Sequence, residues 1–212
     1  MEPFIQSYEF NFIKNQANIL VNGHSTSSDV RVLNALRTLT KERVINLFPN
    51  ITEEQREELE RFESIKERMD ADEFLFLIKP LVIPFQDVSE QTLKKLFPKA
   101  KKLKLPNLEE IDWKETTYLG WYDKGSGRKY IVTNYQDKLI GLHGTFKASS
   151  QKGICTLCNK HEEVGLFVSQ TKGSTLDTFV RRGNYICQDS TKCNKNIESL
   201  EKLHDLIERL NS

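Results

Sequence analysis

Apolar side chains in the first stretch of the chain recur three or four residues apart, at Ile5, Tyr8, Phe12, Ile13, Ala17 and Leu20. That spacing predicts an amphipathic helix over residues 4–21. Gly23 and the polar run HSTSSD are expected to end it and supply turn and N-cap residues. A second run, from Val30 to Phe48, places Val32, Leu33, Leu36, Leu39, Val44 and Leu47 on one face and stops at Pro49. TEEQ then reads as a capping box from Thr52 to Gln55. It opens a third helix with Leu59, Phe62, Ile65 and Met69 as its stripe. DADEFLFLIKPLVIPF starts as a fourth helix that Pro80 and Pro84 interrupt. Residues 1–80 are therefore expected to form an all-α helical bundle.

The pattern changes after the boundary expected between Pro80 and Ser89. SEQTLKKLF suggests a short helix, and PKAKKLKLP gathers Lys99, Lys101, Lys102 and Lys104. From Thr116 the segments TTYLGWYD, RKYIVTNY and KLIGLHGTF are rich in β-branched and aromatic residues, with turn signals between them. Three antiparallel strands follow from this, and EEVGLFVSQT with TFVRRGNYIC adds a hairpin. Trp121, Tyr130 and Phe146 lack an alternating basic pattern and are expected to pack a sheet face. TKCNKNIESLEKLHDLIERL reads as one terminal helix with Ile197, Leu200, Leu203, Ile207 and Leu210 as its stripe. The class is α+β, with a helical bundle at 1–80 and a second domain at 81–212.

Composition narrows the setting. No segment approaches the roughly 18 apolar residues of a membrane span, and MEPFIQSYEF lacks the basic and apolar regions of a secretion signal. A cytoplasmic location is expected, where thiols stay reduced and paired cysteines serve metals more often than disulfides. The net charge of +1 hides an asymmetry. Residues 1–80 hold 10 Lys/Arg against 14 Asp/Glu, and the remainder 21 against 16. The basic half suits an acidic protein surface or RNA.

That half also contains all 4 cysteines. Cys155 and Cys158 sit in KGICTLC, and Cys187 and Cys193 follow after 28 residues, with five residues between them. A Cys-x-x-Cys knuckle, a hairpin, a strand end and a helix start make the plan of a treble-clef finger, in which four thiolates close the shell of one structural zinc. A redox dithiol would require a βαβ setting around Cys155 and Cys158, which the pattern lacks. A zinc deaminase would place Pro before its Cys-x-x-Cys, where this chain has Ile154. His161 stands near enough in sequence to serve as a substitute ligand, but the fourth cysteine makes it superfluous. His24, His143 and His204 read as surface or packing residues.

KGICTLCNK, RRGNYICQDSTKCNK, LKKLFPKAKKLKLP and YLGW with the following RKYIV resemble the elongation factor G-binding proteins, the FusB type of fusidic acid resistance protein. The likeness runs nearly the full length and is strongest from about Ile83 onward. It implies a monomeric, non-enzymatic protein that binds elongation factor G through the zinc-containing domain. Such a protein promotes the factor's release from a ribosome stalled by fusidic acid, without altering the drug. It also implies Cys155, Cys158, Cys187 and Cys193 as zinc ligands, and Ile154, Arg182, Tyr185 and Leu206 as partner contacts. Arg182 stands where the family's pattern has Lys, and Ile154 and Leu206 stand where it has aromatic rings. Two other classes compete: a finger that binds ribosomal RNA through Lys99–Lys104, Arg181 and Arg182, and an enzyme that destroys the antibiotic.

Overall fold

In the computed structural model, residues 1–100, 102–172 and 179–211 are described; Lys101 and the 173–178 part of the expected hairpin lie outside them. The chain divides into two compact units, Met1–Pro84 and Phe85–Ser212.

The first unit consists of α1 (Ser7–Thr26), α2 (Val30–Ile45), α3 (Glu53–Glu60) and α4 (Arg68–Ile78), with a 3₁₀ turn at Arg61–Ser64. The capping box is present as expected: Gln55 N donates to Thr52 Oγ1 (3.2 Å), and Thr52 N donates to Gln55 Oε1 (2.9 Å). Asp29 caps α2 by accepting from Arg31 N at 2.8 Å. Gly23 does not end the first helix, which continues to Thr26. A Cβ built at Gly23 would meet Leu36 Cδ2 at 2.1 Å, so the glycine admits α2 against α1. The third helix is also shorter than its stripe suggested. It stops at Glu60, Phe62 and Ile65 bury themselves through the turn that follows, and Met69 lies exposed on α4. The core gathers Ile5, Ile13, Leu20, Val44, Phe62, Phe74 and Ile78, and Phe62 meets Phe74 edge-on at 5.6 Å.

The second unit opens with α5 (Glu90–Leu96) and continues into one antiparallel meander. Its strands are β1 (Leu119–Asp123), β2 (Arg128–Tyr135), β3 (Lys138–Ile154), β4 (His161–Lys172) and β5 (Phe179–Cys187), in sequence order across the sheet. The third strand runs far beyond the expected KLIGLHGTF, with an irregularity between Ala148 and Lys152. The β2–β3 turn places Gln136 (φ 50°) and Asp137 (φ 58°) in the left-handed region that two-residue hairpin loops require.

The sheet has two unlike faces. Leu119, Trp121, Tyr130 and Val132 pack beneath Phe97 and Leu93 on one face, and Trp121 stacks on Tyr130 at 5.0 Å. Phe146 is buried on the opposite face; all three aromatic residues expected to pack the sheet do so. The expected single terminal helix is two, α6 (Ser190–Asn196) and α7 (Glu201–Asn211), separated at 197–200. α7 packs against β4, and α6 against β1 and β5. No helix among the described residues is long and apolar enough to cross a membrane.

Candidate metal centre

The β3–β4 connection is a tight knuckle. Cys155 N donates to Lys160 O (3.0 Å), and Asn159 N donates to Cys155 O (2.9 Å). Asn159 takes the left-handed conformation (φ 53°) that closes such a turn. This places Cys155 and Cys158 side by side. Cys187 arrives at the end of β5, directly paired with Val164, and Cys193 comes from α6. Asp189 caps that helix, accepting from Thr191 N at 2.8 Å and Lys192 N at 3.2 Å.

All four sulfurs lie within 4.8 Å of one another and all four residues are buried. Cys155 Sγ is 3.8 Å from Cys193 Sγ, and Cys158 Sγ is 3.7 Å from Cys187 Sγ. These separations are far longer than the roughly 2.05 Å of a disulfide. They match the edge of about 3.8 Å that a tetrahedron with Zn–S bonds of about 2.3 Å would have. Two backbone groups point at Cys155 Sγ, Leu157 N at 3.4 Å and Cys187 N at 3.3 Å, as donors suited to a thiolate. Mutual hydrogen bonding drives the Cys155 thiol well below its ordinary range, while Cys193 is pushed up by the other three. Four thiolates this close repel strongly without a cation, and one zinc ion removes the conflict. The donor set fits one structural zinc. His161 is exposed and stands outside the cluster.

Three surrounding residues carry work that composition and spacing did not reveal. Lys129 is fully buried; its Nζ donates to Cys187 O (2.9 Å) and Gln188 O (2.8 Å) and lies 4.9 Å from the Phe146 ring centre. Burial pushes its ammonium down to about 8, while the neighbouring thiols pull it back up. Zinc with four thiolates carries a net charge of about −2, so a buried cation beside it is electrostatically favoured. Asn194 uses its whole amide: Oδ1 accepts from Thr117 N (2.7 Å) and Tyr118 N (3.0 Å), and Nδ2 donates to Tyr118 O and Ser190 O (both 2.9 Å). It fastens α6 to the start of β1. Glu162 holds the same helix from β4, through Lys192 Nζ at 2.6 Å and Asn196 Nδ2 at 3.0 Å.

The four expected partner contacts part company. Tyr185 and Ile154 are open to solvent, at 53% and 57% exposure, and Thr156 N donates to Tyr185 O (2.7 Å), tying the knuckle to β5. Leu206 is 0% exposed, so its assignment to a contact surface is corrected: it packs inward with Leu203, Ile207 and Leu210. Arg182 is half-buried and its guanidinium donates to Arg209 O of α7. It satisfies a carbonyl near the helix end. Strand alternation puts Arg182 and Tyr185 on opposite sides of β5.

Residues 4–86 match the family model described as elongation factor G-binding protein, N-terminal, and residues 95–210 match the FBP C-terminal treble-clef zinc-finger. No curated protein sequence matches the chain significantly. Among solved structures, the fusidic acid resistance protein FusC is 31% identical, with a TM-score of 0.85, over 96% of this chain and 95% of its own. Helices followed by a five-stranded meander, a four-cysteine cluster where the treble-clef model falls, and near-complete overlap with FusC agree with one another: this chain belongs to the elongation factor G-binding protein family.

Proposed function

We propose that this protein acts in the cytoplasm as a monomer that binds elongation factor G through its zinc-bearing unit and promotes the factor's departure from ribosomes stalled by fusidic acid. The observation that carries this reading is the match to a fusidic acid resistance protein over nearly the whole of both chains. Exposed Tyr185 and Ile154 beside the zinc knuckle supply an aromatic and an aliphatic anchor of the kind that dominates protein interfaces. The action is linkage and needs no covalent step. A partner that binds the departing form of the factor better than the stalled form shifts the population by its differential affinity. Moving that balance from 1:99 to 99:1 takes a preference of about 10⁴-fold.

Titration calorimetry with purified elongation factor G tests the reading. The zinc-loaded protein is expected to form a one-to-one complex, and Tyr185→Ala to weaken it by about tenfold or more while keeping its zinc. Fusidic acid incubated with the protein is expected to be recovered unchanged. A folded protein that leaves the factor unbound, or a degraded drug, would end this account.

A further inference from the structure

The register of the sheet sorts its residues by face. Arg128 pairs with Thr145, Thr145 with Val168 and Val168 with Gly183, so these four stand in one row. Two positions along each strand, His143 pairs with Tyr130 and Arg181 pairs with Gln170 on the same face, and Tyr185 pairs with Leu166 on it as well. α5 covers only part of this face: Phe97 stands edge-on to Tyr130 (5.0 Å) and His143 (5.9 Å). Beyond Phe97 lies a cavity of about 360 Å³ lined by Arg128, His143, Thr145, Val168, Gln170 and Arg181, with Gly144 in its wall.

Among the described residues, no carboxylate lines this cavity. Among the described residues, neither Arg128 nor Arg181 nor the nearby Lys99 forms an ion pair. Arg128 Nη1 lies 3.4 Å from His143 Nδ1. Burial first, then Arg128 and Lys99, lower the proton affinity of that imidazole. In the neutral ring Nδ1 accepts from the guanidinium, which leaves the proton on Nε2 as a donor. Two guanidinium groups, an imidazole N–H, a hydroxyl and an amide thus gather, with no carboxylate among the described residues that line the cavity.

We infer that this is a carboxylate-binding pocket, and that an acidic side chain of the partner protein enters it while Tyr185 packs farther along the same open face. The identity of the partner rests on the function proposed above; the pocket's chemistry does not. A protein carboxylate is favoured over an RNA phosphate by the company the pocket keeps. Val168 lies in its wall, and Phe179 and Tyr185 stand exposed on the same strand as Arg181. Arg and Tyr together are the composition of a protein hot spot. The 21 Lys/Arg against 16 Asp/Glu of residues 81–212 are few for a nucleic-acid surface. The docking cation is then Arg181, with Arg128, and Arg182 serves the helix on the other side.

Two measurements test this. The first follows the His143 imidazole by NMR in low salt while hexaglutamate, and separately hexauridylate, is added to the zinc-loaded protein. Hexaglutamate is expected to shift the His143 signal with saturation, and Arg181→Glu to abolish that shift. No response to hexaglutamate, or tighter binding of hexauridylate, overturns the assignment. The second measures affinity for elongation factor G. Arg128→Glu and Arg181→Glu are each expected to lose about 30-fold or more, because each places a repulsive charge opposite the partner's carboxylate. If both variants bind the factor as tightly as the parent while Tyr185→Ala does not, the pocket is no part of the docking face and the inference fails with the function intact. If the parent itself leaves the factor unbound, the function falls and the peptide titration alone decides the pocket.

Discussion

Met1–Pro84 closes around Phe62, Phe74, Ile13 and Leu20 and contains no cysteine and no tryptophan. Phe85–Ser212 splits its apolar burial between the Phe97–Trp121–Tyr130 cluster on one sheet face and the residues under α6 and α7 on the other. The β3–β4 knuckle, the end of β5 and the short helix α6 converge on four sulfurs. A unit with a continuous core is stabilised by area removed from water. One with segments this short needs a cross-link, because a seven-residue helix and a six-residue turn bury little by themselves. The pair teaches where to look for recognition. The metal lets the second unit fix backbone without covering it, so Tyr185 and Ile154 can remain exposed and ordered beside the knuckle.

The largest test of this contrast is metal removal. Structural zinc in small fingers contributes about 10–16 kcal/mol at neutral pH, so a strong chelator, or Cys158→Ser, is expected to unfold the finger and leave the helical unit folded. Both tryptophans, Trp113 and Trp121, belong to the second unit. Their emission is expected to shift on chelation while most of the helical circular dichroism persists. Loss of both signals together would break the comparison.

The mirror experiment is Phe62→Ala. Deleting a fully buried ring from the first core is expected to cost about 3–5 kcal/mol. Thermal unfolding followed by circular dichroism should move down, with zinc content and tryptophan emission unchanged before the transition. A comparable contrast lies inside the second unit. Leu206→Ala is expected to destabilise by about 2–5 kcal/mol, whereas Tyr185→Ala should change stability by less than about 0.5 kcal/mol. Equal costs in denaturant melts would show that their burial has been misjudged. Lys129→Met, a smaller loss than Leu206→Ala, removes the donor to Cys187 O and Gln188 O and is expected to cost about 1–3 kcal/mol. It should also speed zinc transfer to a chromogenic chelator.

Much of this arrangement was legible in the chain, and the failures have physical causes. The ligand set could be read because a knuckle and a helix start impose short, fixed spacings on cysteine. Helix ends were misread where packing overrode local signals: Gly23 serves Leu36 as a point of close approach, and Phe62 and Ile65 reach the core through a 3₁₀ turn. Leu206 carried a usable signal, since Leu203, Leu206, Ile207 and Leu210 form one helical stripe. Strand alternation counted from Tyr185 would have placed Arg181, and not Arg182, on its face. Lys129 gave no such warning. A lysine in KYIVTN reads as solvated, and only the fold shows that the carbonyls of Cys187 and Gln188 await it.

The central claim is that zinc makes the docking face, and one titration bears on it most directly. Elongation factor G is added to the zinc-loaded protein, to the same protein stripped of metal, and to the stripped protein after zinc is restored. A one-to-one complex is predicted for the first and third samples and none for the second. Equal binding by the stripped protein, or no binding by the loaded one, would contradict the account.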